Sequence, residues 1–305
     1  MHKQLIIVLF TLGFLSLQAQ ENSVSPYSFY GLGENKLKGS QENRAMGGVA
    51  VFKDSLRLNF QNPASYAFIN RTSFTVGMNH NRTSQETENS SGDVRTTNFD
   101  YLAIGIPMGK FGASLGLMPT TGVGYKLLNI STDAQGLQRT RIFDGTGGVN
   151  RVFGALGYNV AKDFNIGVDF SYNFGDIETK TVEYITGVQY GTREFNRTDV
   201  SGSEFNFGAM YNTKFNDKYR LFFSATYKPE TRFTLNNVSN LAIVQGGASF
   251  DLELTIEELE TRNEKRTLRN PSRFTVGAGF GDVNKFVIGT ELTLTQSNAF
   301  GNRFD

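Results

Sequence analysis

The feature that most constrains this chain is a period of two in its apolar residues, which recurs from about residue 72 onward. In residues 165–174 the apolar residues Ile166, Val168, Phe170, Tyr172 and Phe174 alternate with Asn165, Gly167, Asp169, Ser171 and Asn173. Successive side chains of a β-strand point to opposite faces, so this alternation places apolar residues on one face and small or polar residues on the other. We predict an all-β chain with about nine strands, each facing two different environments.

The connections between these strands alternate between short turns and long polar segments. The short turns fall at residues 108–111, 161–163, 215–218 and 282–285, and the long segments at residues 82–97, 127–150, 176–203 and 229–272. Outer-membrane barrels have short turns at one end, long loops at the other, and strands that are apolar outside and polar inside. The pattern therefore predicts an antiparallel transmembrane β-barrel. A secreted β-sandwich is the alternative, although it gives no reason for the long segments to lie at one end.

Composition and charge exclude several functional classes. The 30 basic and 29 acidic residues give a net charge of +1, which disfavours a nucleic-acid partner. Cysteine is absent and the two histidines are His2 and His80, so thiol catalysis, disulfides and the common zinc sites are excluded. The Gly112-x-Ser114-x-Gly116 pattern lies within an alternating strand and not in a strand–turn–helix elbow. We therefore predict neither an enzyme nor a cofactor.

The two ends of the sequence predict a cleaved signal peptide and further strands, respectively. Residues 1–19 begin with a basic Lys3, continue with an apolar run and end at the small Ala19, as a secretory signal peptide does. The apolar run is shorter than the roughly 20 residues of a membrane-spanning helix, so we expect export to the outer membrane of a Gram-negative cell. Residues 297–305 read as the start of another long loop. Because closed bacterial barrels have an even number of strands, we expect further carboxy-terminal strands.

The segment before the first strand carries a family resemblance. Residues 20–70 lack the alternation, and they contain an Ala45-Met46-Gly47-Gly48 element followed by Asn62-Pro63-Ala64 just ahead of the first strand. Together with the signal peptide and the barrel pattern, this arrangement resembles the FadL family of outer-membrane transport proteins, in a subgroup that includes PorV-like barrels. Residues 25–33, 106–107 and 227–229 fit the same family.

The resemblance implies an architecture and a function. The barrel would have about fourteen strands when complete, with residues 20–70 forming a hatch inside it and residues 71–305 forming an incomplete barrel domain. FadL relatives take up hydrophobic compounds such as long-chain fatty acids passively, so hydrophobic small molecules or lipids, and the outer-membrane lipid, are the expected partners. Some members serve instead as non-transporting subunits of secretion or barrel-assembly machines. A protein partner is therefore the alternative.

The first set of predicted site residues lies in the hatch and comprises Met46, Phe60, Asn62, Pro63 and Ala64. Pro63 fixes one backbone torsion and Asn62 can bond to the backbone, which predicts a rigid turn that docks the hatch against the wall. Direct contact with a ligand is the alternative reading. Phe60 and Met46 would supply the soft apolar surface that a lipid tail prefers.

The second set lies in the strand over residues 112–126 and comprises Met118, Pro119, Gly122 and Gly124. Proline lacks an amide hydrogen and glycine weakens a strand, so we expect the ladder to fail here and to leave a lateral opening toward the membrane. FadL-like proteins carry an inward kink in the third strand, and this is the third strand of the pattern. The alternative is that Pro119 marks the rim, where the strand becomes a loop.

Overall fold

The computed structural model of this chain describes residues 23, 25–36, 39–87, 90–134, 136–246, 253–282 and 285–296. The predicted signal peptide and residues 297–305 lie outside this part. The helices of the described part are a first 3₁₀ helix (Pro26–Phe29), α1 (Gln41–Ala45) and a second 3₁₀ helix (Pro63–Phe68). None of them combines the length and the apolar composition needed to cross a membrane.

The remainder forms an antiparallel sheet of 13 strands. The short β1 (Glu34–Asn35) belongs to the amino-terminal segment. The others are β2 (Ser73–Thr87), β3 (Ser90–Met108), β4 (Phe111–Pro119), β5 (Thr121–Thr132), β6 (Gln138–Ala161), β7 (Phe164–Ile185), β8 (Gly191–Lys214), β9 (Arg220–Lys228), β10 (Thr231–Gly246), β11 (Glu253–Asn270), β12 (Arg273–Asp282) and β13 (Phe286–Thr295). The main path runs β13-β12-β9-β8-β7-β6-β4-β3-β2.

Several of these segments follow one another end to end within the wall. Only Thr120 separates β4 from β5, and both pair with β6. Pro229 and Glu230 separate β9 from β10, which both pair with β8. Pro271 and Ser272 separate β11 from β12, which pair with β10 and β9 respectively. The described wall therefore consists of nine long strands, in agreement with the number predicted from the period of two.

The wall is polar on its inner face and apolar on its outer face. On β7, Asn165, Asp169, Ser171 and Asn173 are buried, whereas Ile166, Phe170, Tyr172 and Phe174 are 39% to 46% exposed. A water-soluble sandwich would bury the aromatic set, so that alternative is wrong. The expected all-β, antiparallel barrel fold, with an outer face suited to lipid, is confirmed.

The long polar segments are strands, which corrects the expectation that they are loops. The segment of residues 229–272 is the hairpin β10–β11, in register from Thr231 opposite Asn270 to Gly246 opposite Glu253. Cross-strand pairing satisfies the backbone groups of these segments, and their polar side chains on both faces hide the period from a hydrophobicity pattern. β6 and β8 each have 24 residues, about twice the length that a membrane strand requires. The wall therefore extends well beyond the membrane at one end.

The amino-terminal segment packs against the inner face of the sheet. A first core cluster joins Leu58, Phe60, Tyr66 and Ile69 of this segment to Tyr101, Ala103, Met118, Phe153 and Ala155 of the wall. A second cluster consists of Val123, Tyr125, Val149, Ile177, Val200, Phe233, Leu235 and Leu268, with Phe29 and Leu32 packed against it. The apolar core of the molecule thus lies between this segment and the wall.

Candidate functional site

The turn at Asn62 begins the second 3₁₀ helix and docks it on the wall. Pro63 occupies the first helical turn, and the Asn62 side chain accepts a hydrogen bond from the backbone N–H of Ala64 at 3.0 Å. The Asn62 amide also donates to the carbonyl oxygens of Ala209 at 3.2 Å and Ala225 at 3.5 Å. One side chain therefore both caps the helix and ties it to two wall strands.

A row of glycines makes room for this helix. Gly112 lies opposite Gly157, Gly157 opposite Gly167, and Gly167 opposite Gly208, so the row crosses β4, β6, β7 and β8 at one level. A Cβ on Gly157 would lie 2.6 Å from the backbone nitrogen of Ala67, and one on Gly208 would overlap the Asn62 side chain. Only glycine permits so close an approach of two backbones.

The other hatch residues of the predicted site differ in their surroundings. Phe60 is 3% exposed and packs against the rings of Tyr101 and Phe153, with centroids 5.0 Å and 5.8 Å away. Ala64 is fully buried. Met46 is 41% exposed at the end of α1 and does not line the cavity described below. The structure therefore brings Phe60, Asn62, Pro63 and Ala64 together and leaves Met46 apart.

A cavity of about 790 Å³ lies between the amino-terminal segment and the wall. Phe60, Gln61 and Asn62 form part of its floor, and β6, β8, β9, β12 and β13 contribute side chains to its walls. Its lining includes seven charged residues, which are Glu34, Lys36, Arg151, Glu204, Lys228, Arg273 and Glu291. The cavity lining is therefore mixed, with charged side chains set among apolar ones such as Leu32, Phe60 and Phe233.

An ion pair occupies the wall of this cavity. The Lys228 ammonium lies 2.5 Å from a carboxylate oxygen of Glu204, and the side-chain amide of Asn270 donates to the other oxygen. Glu204 is 1% exposed. This pair cannot be inferred from the spacing of residues, because Glu204 and Lys228 lie on different strands 24 positions apart. The feature of the sequence that could have indicated this pair is the charged Glu204 at an inward-facing position of a strand.

The second predicted set lies where the third wall strand leaves its neighbour. The ladder between β3 and β4 ends at Leu102 opposite Leu117, and in the described residues β3 beyond this point pairs with β2 only. Met118 is 3% exposed and belongs to the first core cluster. Pro119 still pairs with β6, opposite Asn150. The strand therefore separates from β3 while it stays joined to β6.

Backbone of the amino-terminal segment takes the place of β3 at this point. Glu34 and Asn35 of β1 pair with Gly122 and Thr121. The N–H of Gly124 donates to the Ser28 hydroxyl at 3.2 Å, and a Cβ on Gly124 would overlap the carbonyl of Ser23. Gly122 and Gly124 thus lie where the backbone of the amino-terminal segment meets the wall.

Burial changes the acidity of two groups in the hatch. Burial, aided by the nearby Asp169 carboxylate, raises the pKa of the Tyr66 phenol, so this group stays neutral. Partial burial, together with Arg220, lowers the pKa of Lys53, whose ammonium lies 4.5 Å from the centroid of the Phe68 ring. Tyr66 lies within the second 3₁₀ helix, and Lys53 contacts its last residue, Phe68.

Comparison with known proteins places this fold. No curated protein matches the sequence. The structure is similar to the crystal structure of the P. putida toluene transporter TodX, with a TM-score of 0.56 and 13% identity over 88% of this chain and 73% of that one. This likeness supports the FadL-like barrel expected from the sequence. The sequence model of the BamG family matches residues 1–305, so the chain is a member of the BamG family.

Proposed function

We propose that this protein is an outer-membrane barrel that serves as a non-transporting subunit of an outer-membrane assembly or secretion complex. The observation that carries the proposal is that the amino-terminal segment occupies much of the lumen. The amino-terminal segment packs against the wall through two apolar clusters, and the lining of the remaining cavity includes seven charged residues. A hydrophobic compound that filled this cavity would displace water from those charged groups without replacing their interactions, which offsets what it gains at the apolar part of the lining.

The tall extensions of the wall provide a surface for a protein partner. β11 is exposed along most of its length, and among its charged residues it presents Leu254, Ile256 and Leu259 at 71%, 50% and 50% exposure. A contiguous apolar patch rimmed by polar residues is typical of a protein interaction site, and these three side chains lie within six residues of one another on β11. The name of the BamG family hints at barrel assembly, which agrees with a partner of this kind.

Passive uptake of hydrophobic compounds is the second candidate. The separation of β3 from the third wall strand after Leu102 and Leu117 favours it, because an interrupted ladder is what a lateral opening requires. The similarity to a protein described as a toluene transporter agrees with such a role. For uptake to occur, the backbone of β1 would have to leave Thr121 and Gly122.

Depletion of the protein in cells separates the two candidates. We expect depletion to lower the amount of other correctly folded outer-membrane barrels, measured by their heat-dependent migration on gels, and to leave uptake of a radiolabelled fatty acid unchanged. Loss of fatty-acid uptake with normal barrel assembly would overturn the proposal in favour of transport.

A surface variant tests the docking site directly. Replacing Leu254, Ile256 and Leu259 with serine should reduce the apparent mass of the complex on native gels of detergent-extracted membranes, while the barrel itself still folds. Asn263→Ser on the same strand is the matched control and should leave the complex intact. A complex that survives the triple substitution would rule out this surface as the contact.

A further inference from the structure

The lumen cavity holds more cationic than anionic groups around one point of its wall. Lys228, Arg273 and Arg151 all line the cavity, and the carboxylate among them is Glu204, which pairs with Lys228. The other two carboxylates of the lining are held by the hatch. Glu34 accepts from the Ser23 hydroxyl at 2.6 Å, and Glu291 accepts from the backbone N–H of Ala50 at 2.8 Å.

Arg151 is a buried cation without a carboxylate partner in the described part of the chain. Its side chain lies on β6, and the residue is 4% exposed. One terminal nitrogen donates to the Phe60 carbonyl at 3.4 Å, and the guanidinium carbon lies 5.2 Å from the Phe153 ring centroid. The Nε–H is buried and has no hydrogen-bond partner among the described residues. Burying this charge without a full set of partners costs free energy, and arginine cannot avoid that cost by losing a proton.

Arg273 adds a second cation to the same wall. It lies directly opposite Lys228 in the ladder between β9 and β12, and within the described ranges it forms no ion pair. Like charges directly opposite each other on neighbouring strands are destabilising. After Glu204 is counted, these three cations retain a local excess of two positive charges, and the whole lining holds four cations and three carboxylates.

We propose that this cavity binds a phosphate group, held by Arg151 and Arg273 with Lys228 between them. A phosphate monoester carries between one and two negative charges at neutral pH and offers three acceptor oxygens, which match two arginine forks and one ammonium. A single carboxylate would balance only half of the excess. The volume of about 790 Å³ exceeds what inorganic phosphate fills, so the cavity also accommodates the remainder of a phosphorylated molecule. Binding here does not depend on the proposed partner function.

Calorimetric titration of the full-length protein in a maltoside detergent tests this site. Inorganic phosphate should give saturable heat that sodium chloride of equal ionic strength does not give. Arg273→Gln and Arg151→Gln should each weaken binding by about ten- to a hundredfold, because each removes a charge-assisted hydrogen bond. Arg95→Gln, an exposed arginine on β3, is the matched control and should bind as the unaltered protein does.

The titrations of these variants show whether the cavity contains a phosphate site. Because Arg273 is exposed within the lumen, Arg273→Gln should keep the fold even if the buried Arg151→Gln does not, and heat-dependent gel migration verifies this. Absence of saturable phosphate binding, or equal binding by Arg273→Gln and Arg95→Gln, would overturn the proposal. Equal affinities for inorganic phosphate and short-chain phosphatidic acid would assign free phosphate to the site. Tighter binding of phosphatidic acid would assign a lipid headgroup.

Discussion

Gly167 lies at the centre of the glycine row, where the wall meets the hatch backbone. A Cβ at this position would lie 2.5 Å from the Ala64 nitrogen and the Pro63 carbonyl oxygen. We predict that Gly167→Ala displaces the second 3₁₀ helix and lowers the stability by about 1–3 kcal/mol, measured by thermal unfolding in detergent. Gly154→Ala on β6 is the control, since its Cβ would meet only a flexible Leu115 methyl at 3.2 Å. Equal melting temperatures for the two variants would contradict the docking role.

The Asn62 side chain caps the second 3₁₀ helix with its oxygen and binds the wall with its nitrogen, and replacing that nitrogen by oxygen separates the two roles. Asn62→Asp keeps the oxygen that accepts from Ala64 but removes the amide that donates to Ala209 and Ala225. We predict a loss of about 1–3 kcal/mol in the free energy of unfolding, because two carbonyls then face a carboxylate. Urea titration measures this loss. Asn263→Asp, at an exposed position of β11, should change the stability little, and a similar loss there would argue against a specific tie.

Residue chemistry predicts part of this contact and misses the rest. Proline and asparagine have local conformational preferences, so the Asn62–Ala64 turn can be inferred from three neighbouring letters. The glycine row cannot, because Gly112, Gly157, Gly167 and Gly208 are far apart in the chain and become neighbours only through strand register.

The strands β6 and β7 extend beyond the membrane at the end opposite the turn that joins them, and there they carry a pH-dependent cluster. Glu183 receives hydrogen bonds from Arg139 at 3.0 Å and Arg141 at 3.1 Å. Burial raises the pKa of the Glu183 carboxyl, but the hydrogen bonds and charges of Arg141 and Arg139 outweigh burial and lower it below 4.5. Because the folded-state pKa is depressed, the cluster stabilises the hairpin above pH 4.5, and this contribution disappears as the pH falls through the folded-state value.

Glu183→Gln tests this contribution. We predict that the unaltered protein is more stable than the variant at pH 7, by under about 1 kcal/mol since the groups are partly solvated, and that the difference is smaller at pH 3, because protonation of the carboxyl removes it. Thermal unfolding at both pH values measures it. A difference that stayed constant with pH would mean that the carboxylate charge is not the cause.

Elements of the wall differ in how well the sequence predicts them. The membrane portions of β7, β8 and β9 follow from alternation, because lipid and lumen impose opposite polarity on successive residues. The extensions, above all β10 and β11, face water on much of their surface and carry no such contrast. Their pairing follows from that of the membrane portions, because β8 continues beyond the membrane and β10 and β11 add to it in register.

The outer face of the molecule is apolar and its inner face is polar, the opposite of a soluble protein. A charged residue placed on the outer face should therefore lower the stability measurably. Phe170 is 46% exposed on the outer face, where its ring lies 5.2 Å from that of Phe205. We predict that Phe170→Arg destabilises the protein in lipid bilayers by about 2–4 kcal/mol, as expected for a charge near the bilayer midplane. Urea-dependent folding into vesicles measures it.

Val188→Arg is the control for this prediction. Val188 is 56% exposed in the β7–β8 turn, at the end of the extended hairpin. Here the same new charge faces water and should change the stability by less than about 0.5 kcal/mol. Equal costs at the two positions would mean that the outer face at Phe170 does not lie in lipid.

The sequence by itself determined the number of wall strands, the polarity of their two faces and the position of the short turns, because each is a local property of neighbouring residues. Only the tertiary structure decided how the amino-terminal segment packs inside the wall, that β1 pairs with Thr121 and Gly122 where β3 has separated, and that Arg151, Glu204, Lys228 and Arg273 share one cavity. These features depend on register between distant strands and on side-chain packing within the barrel, and neither is expressed in the spacing of residues along the chain.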